Sequence, residues 1–90
     1  MEAITIYTII REHFVNGTFD RAHTHPKAFT NKTNAGQLIL QYIADQGCTS
    51  FQTVTYFTYD ESLNVAILEA VDNVNGDKYK DIFRIRPIKL

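Results

Sequence analysis

Three histidines, an aspartate and a cysteine are the side chains here whose types and spacing bear on catalysis or metal binding. His13, His23 and His25 lie close together, with Asp20 among them. His23 and His25 are two apart on an extended segment, so they point to the same side, and two imidazoles on one face can share a zinc ion. A catalytic zinc needs three protein ligands in fixed geometry. The strand pairing expected below puts His13 and Asp20 on the opposite face, which leaves only two ligands. The histidines therefore read as surface residues near a strand end. His13 opposite Asp20 has the form of an oriented general base, but no serine, threonine or cysteine is placed by sequence to be its nucleophile. Cys48 follows Gly47 at the expected end of a helix, where the dipole disfavours a thiolate. It reads as a small, half-buried apolar residue. No glycine-rich phosphate loop is present. No catalytic residue, metal ligand set or cofactor is expected.

A second group is basic. Lys78, Lys80, Arg84, Arg86 and Lys89 crowd the C-terminal segment, and Arg84 and Arg86 share a face. With Tyr56 and Tyr59 on neighbouring strands they form the candidate partner surface: Tyr56, Tyr59, Arg84 and Arg86. Such a surface can stack on bases and contact phosphates. Asp72, Asp77 and Asp81 lie nearby in sequence and are expected to neutralise it, so nucleic acid is not the expected partner. Long charged side chains also protect sheet edges from aggregation.

The elements that carry these residues are punctuated by two Asn-Gly dipeptides, Asn16-Gly17 and Asn75-Gly76. Asn followed by Gly supplies the positive φ of a tight hairpin turn at low steric cost. Ala3 to Val15 reads as a long strand, and Thr18 to His25 returns beside it until Pro26, which cannot donate to a ladder. With Asn16 and Gly17 at the centre of the turn, Phe14 meets Phe19, Glu12 meets Arg21 and His13 meets Asp20. Thr30 is the expected N-cap of the only helix, accepting from the Thr33 amide. Ala35, Leu38, Ile39, Tyr42 and Ile43 form its apolar stripe, and Gly47 closes it. Gly36 either weakens this helix or lets it approach the sheet closely. Phe51 to Tyr59 is the third strand. A polar turn at Asp60-Glu61-Ser62-Leu63 leads to the fourth, Asn64 to Asp72. Lys78 to Arg86 is the last, and Pro87 ends it or marks an edge. Two registers compete for this second hairpin. A three-residue loop, the favoured one, pairs Ile67 with Phe83 but sets Glu69 near Asp81. A two-residue loop pairs Leu68 with Phe83. The expected fold class is α+β: a five-stranded antiparallel sheet with one helix on one face, in the order β-β-α-β-β-β. The opposite face is then solvated or bound to something.

At 90 residues the chain makes one domain, residues 1–90. Its net charge of −1, from nine basic and ten acidic residues, carries no broad electrostatic footprint for nucleic acid or anionic lipid. A single cysteine allows no internal disulfide and fits a reducing compartment. The start lacks the basic and small-residue pattern of a signal peptide, and no stretch approaches the roughly 20 apolar residues of a membrane span. A cytoplasmic protein without membrane contact is expected. The two glycosylation patterns, at Asn16 and Asn31, are then accidental.

The strand Ile4-Thr5-Ile6-Tyr7, the first hairpin, the helix opened by Lys27 to Ala35, and the three-strand meander resemble small phage and mobile-element proteins. Several anti-CRISPR proteins share this ordering. The resemblance implies a class of job, occupying a surface on a larger host machine. Three readings follow. The first is a non-enzymatic protein-binding module, a phage-type inhibitor of a host defence complex, that binds through the open sheet face or an edge strand. The second is a homodimer that buries that face on itself, in a structural or accessory role. The third is a small enzyme using His23 and His25, with or without metal.

Overall fold

The computed structural model describes residues 4–47 and 50–90. Five strands and one helix follow one another as β1 (Thr5–Val15), β2 (Thr18–Thr24), α1 (Lys32–Gly47), β3 (Gln52–Asp60), β4 (Val65–Asp72) and β5 (Lys78–Lys89). The strands form one sheet in the order β2-β1-β5-β4-β3, with every neighbouring pair antiparallel. This is the α+β arrangement expected. β5, the last strand made, lies at the centre. β2 and β3 are the edges.

The first turn forms as its residues require. Asn16 and Gly17 both adopt positive φ, 50° and 84°, and Val15 pairs with Thr18. Phe14 meets Phe19, and the two rings pack edge to face at 5.7 Å. Beyond that pair the expected register fails. Asp20 is an extra residue in β2, a bulge, so His13 pairs with Arg21, Glu12 with Ala22 and Arg11 with His23. The Glu12–Arg21 and His13–Asp20 pairs do not form.

The second hairpin takes neither expected register. Ile67 pairs with Ile82, Leu68 with Asp81 and Glu69 with Lys80. A loop from Asn73 to Gly76 is closed by the Asp72 N–H donating to the Asp77 carbonyl at 2.8 Å. Side chains build it: Asp72 Oδ1 accepts from the amides of Val74 and Asn75, and Asn75 Oδ1 accepts from that of Asp77. The longer loop also removes the like-charge contact of the favoured register, since Glu69 now faces a lysine. β3 carries a second bulge at Thr55, between the Val54–Ala70 and Tyr56–Glu69 pairs.

β5 runs through Pro87 to Lys89, three residues past the expected end. Pro87 pairs with Tyr7, whose own N–H and C=O turn away to Phe29. β4 has by then ended on the other side of β5, its first residue Val65 pairing with Arg84. The missing N–H of Pro87 therefore costs no ladder bond, which is the edge alternative of the sequence reading.

The helix starts one residue later than expected. Its N-cap is Asn31, whose Oδ1 accepts from the Thr33 amide at 2.7 Å, in place of Thr30. Ala35, Ile39 and Ile43 of the stripe are buried, with Leu38 and Tyr42 packed beside them. They meet Ile9, Ala66, Leu68, Phe83 and Ile85 of the sheet. Gly36 sits directly over the Tyr59 hydroxyl, so the close approach is real. Cys48 lies outside the described residues.

Candidate functional site

Alternation along each strand divides the sheet into two unlike faces. On the helix side, β1 presents Tyr7, Ile9, Arg11 and His13. The β2 bulge brings Arg21 and His23 to the same side. His13 thus shares a face with His23, contrary to the split expected from the unbulged register.

His13 finds its carboxylate on β5, not β2. Its Nδ1 lies 2.7 Å from Asp81 Oδ1, and Arg11 Nε donates to the same oxygen at 2.9 Å. Asp81 is only 5% exposed, so a buried charge is held by a guanidinium and a ring nitrogen together. A carboxylate oxygen only accepts, so Nδ1 carries the hydrogen. The His13 ring stacks on Tyr79 at 5.6 Å. The hollow beside it is lined by Arg11, His13, Arg21, Ala22 and His23, a set without hydroxyl, thiol or carboxylate. Among the described residues no three His, Cys, Asp or Glu side chains are grouped to hold a metal ion.

A larger groove of about 340 Å³ runs between α1 and the overhanging β2. Ile9, Leu38, Tyr42 and Phe83 line its apolar part, and Arg11, His23, His25 and Asp45 its polar part. The Arg11 guanidinium lies 4.7 Å from the Tyr42 ring centroid. Burial pushes the Tyr42 phenol above its ordinary value, with the Arg11 charge pulling the other way. It stays protonated at neutral pH. Of the groove's charged groups, Arg11 is ion-paired with Asp81 and Asp45 accepts a hydrogen bond from Gln41.

Among the described residues no helix covers the other face. Ile10 and Phe14 of β1, Ile82 of β5 and Val65, Ile67 and Val71 of β4 line it, all half-buried. Tyr56 and Phe19, both about half exposed, flank this band on the two edge strands. Lys78, Lys80, Arg84 and Arg86 stand on the same face, all on central β5. Arg84 Nε donates to Glu12 Oε1 at 3.0 Å.

Three of the four residues of the candidate surface therefore share this face: Tyr56 on edge strand β3, Arg84 and Arg86 on β5. Tyr59 is not with them. It points to the helix side, pairs with Ala66 and packs under Gly36, and burial raises its phenol above the ordinary value. The acids expected to neutralise the cations are elsewhere too. Asp81 is buried on the helix side, Asp72 is occupied by its own loop and by the Tyr79 hydroxyl, and Asp77 accepts from Asn16. The hydroxyl of Tyr79 and the loop amides hold opposite consequences: Asp72 titrates below its usual range, Tyr79 above.

Comparison with protein-family models, curated proteins and solved structures returns no match to this chain. Among the described residues no helix is long and apolar enough to cross a membrane.

Proposed function

We propose that this chain is a non-enzymatic protein-binding module whose working surface is the helix-free face of the sheet. One observation carries the reading. β4 runs Val65-Ala66-Ile67-Leu68-Glu69-Ala70-Val71, apolar on both sides except for Glu69, close to the pattern of a strand covered from above and below. Among the described residues the chain supplies a cover on one side only. Ala66, Leu68 and Ala70 are buried under α1 or beside it, whereas Val65, Ile67 and Val71 stay accessible.

The edges are poorer docking sites. Both edge strands carry a bulge, at Asp20 and at Thr55, and bulged edges resist pairing with another strand. The most enzyme-like group, His13 with Asp81, has its carboxylate shared with Arg11, and among the described residues no nucleophile lines its hollow. Inhibition of a host defence complex by covering one of its surfaces is a job such a module can do. The likeness in element order to anti-CRISPR proteins suggests it.

The test is comparative capture from a host lysate. The wild-type chain and a groove variant, Leu38→Gln, are expected to retain the same partner, and an open-face variant, Ile67→Lys, to lose it. Retention by Ile67→Lys, or capture of nothing by the wild type, overturns the reading.

A further inference from the structure

We infer that the occupant of the open face is an acidic-ended amphipathic segment of a protein partner: an aliphatic centre flanked by carboxylates about 26 Å apart. This rests on the binding reading above and adds the partner's chemistry.

Two of the four cations that β5 presents on this face have a carboxylate beside them. Arg84 is paired with Glu12, and Lys80 has Glu69 directly across on β4. Lys78 and Arg86 have uncharged neighbours instead: Val71 beside Lys78, Thr8 beside Arg86. They stand at the two ends of the same strand, eight residues apart, which at strand rise is about 26 Å. Between them lies Ile82, with Ile67 across from it on β4 and Glu12 on β1, and Ile10 stands one pair further along, across from Arg84. The middle of the face thus mixes aliphatic side chains with cations that have carboxylates beside them, and among the described residues one positive charge without such a partner stands at either end.

That pattern selects among occupants. A second copy is disfavoured, because like charges meet in either two-fold arrangement. With the β5 strands antiparallel, Lys78 of one copy approaches Arg86 of the other; with them parallel, each meets itself. A nucleic-acid strand needs exposed rings on the central strands to stack its bases. Here central β5 presents Ile82 among lysines and arginines, Phe14 and Phe19 pack on each other, and Tyr56 is at the edge. A helix of about 17 residues is about 26 Å long and fits the distance. It would lie on this face as α1 lies on the other and complete the missing layer.

The probe is a synthetic helical peptide of about 18 residues with leucines along one face and two glutamates at each end. Its counterpart carries lysines in place of the glutamates. Backbone NMR shifts and fluorescence anisotropy with the wild-type chain are the readouts, beside a 20-mer of thymidylate and sedimentation of the chain alone. The Glu-ended peptide is expected to shift amides of β1, β4 and β5 and to bind at least about tenfold more tightly than the Lys-ended one. The double variant Lys78→Glu/Arg86→Glu, altered only at exposed positions, is expected to reverse that preference.

Equal binding of the two peptides, or binding of neither at millimolar concentration, overturns the inference. So do shifts confined to the α1–β2 groove, tighter binding of the thymidylate on this face, or a dimer that protects it. The lysate comparison reads independently of the peptides. If Ile67→Lys loses a captured partner while the charge reversal keeps it, the binding module stands and the acidic partner falls.

Discussion

Replacing Gly36 by alanine sets two known effects against each other. In a helix interior Gly is about 1 kcal/mol less favourable than Ala, so on propensity alone the change stabilises. A Cβ at this position, however, would overlap the Tyr59 hydroxyl and lie 3.3 Å from its Cζ. The ring is held in the core border, packed against buried side chains, so it cannot swing aside freely. Overpacking of this kind costs about 1–3 kcal/mol. The net expectation for Gly36→Ala is a loss of about 1 kcal/mol, a fall in Tm of about 4–8 °C for a chain of this size. Tyr59→Phe removes the overlapping oxygen and leaves a tight contact with Cζ. In that background Gly36→Ala should turn neutral or stabilising, giving a coupling of about 1–2 kcal/mol in the double-mutant cycle. Urea denaturation followed by circular dichroism measures all four proteins. A Gly36→Ala protein more stable than the wild type, with no coupling to Tyr59→Phe, would show that helix and sheet are not in contact there.

Other consequences are as direct. Because loop amides and Tyr79 hold the Asp72 carboxylate below its usual range, it stabilises the fold above about pH 3.9, and that contribution is lost as pH falls through the lowered folded value. Asp72→Asn should therefore flatten the acid limb of a stability–pH curve. Asp81→Ala should cost about 3–5 kcal/mol in denaturant melts, since it leaves Arg11 and His13 without their buried acceptor. Asn64 has φ 56° and a buried Oδ1 without a hydrogen-bond partner, so Asn64→Gly should hold stability or raise it by up to about 1 kcal/mol, and Asn64→Ala should lower it. Leu68→Ala should cost about 2–5 kcal/mol and its neighbour Ile67→Ala about 1, because the two point to opposite faces and only one is covered. Equal costs would mean that the open face is covered in solution.

The parts of this fold legible in the sequence are those set by one segment at a time. The helix stripe from Ala35 to Ile43 and the positive-φ turn at Asn16-Gly17 depend on local periodicity and backbone sterics, and both stand as read. The bulges at Asp20 and Thr55 depend on two strands at once, and no residue type at either position announces them. The Asp20 bulge carried the largest functional consequence, since it alone moved His23 onto the face of His13. Other differences had a local signal. Asn caps helices better than Thr does, which favours Asn31 over Thr30. Asp72 and Asn75 are spaced for side chains that hydrogen-bond the backbone of a longer loop. Parity alone separates Tyr56 from Tyr59, and Lys78, Lys80, Arg84 and Arg86 from Asp81. The pairing of His13 with Asp81 joins residues far apart in sequence, and only the sheet order β1-β5 brings them together.

The same placement of charge bears on how an uncovered sheet face avoids aggregation. An exposed aliphatic band of this kind invites self-association, and bulged edges block only the strand-to-strand route. Lys78 and Arg86 act on the other route, face to face. Each like-charge contact between exposed groups costs only a few tenths of a kcal/mol to about 1 kcal/mol. Two such contacts recur in either symmetric arrangement of two copies, so the penalty is counted twice in every dimer. It is reversed in sign for a partner whose carboxylates meet the same two cations. A pair of charges too weak to decide stability can then decide which surface the face accepts, because specificity is a difference between occupants and the aliphatic contribution is common to both.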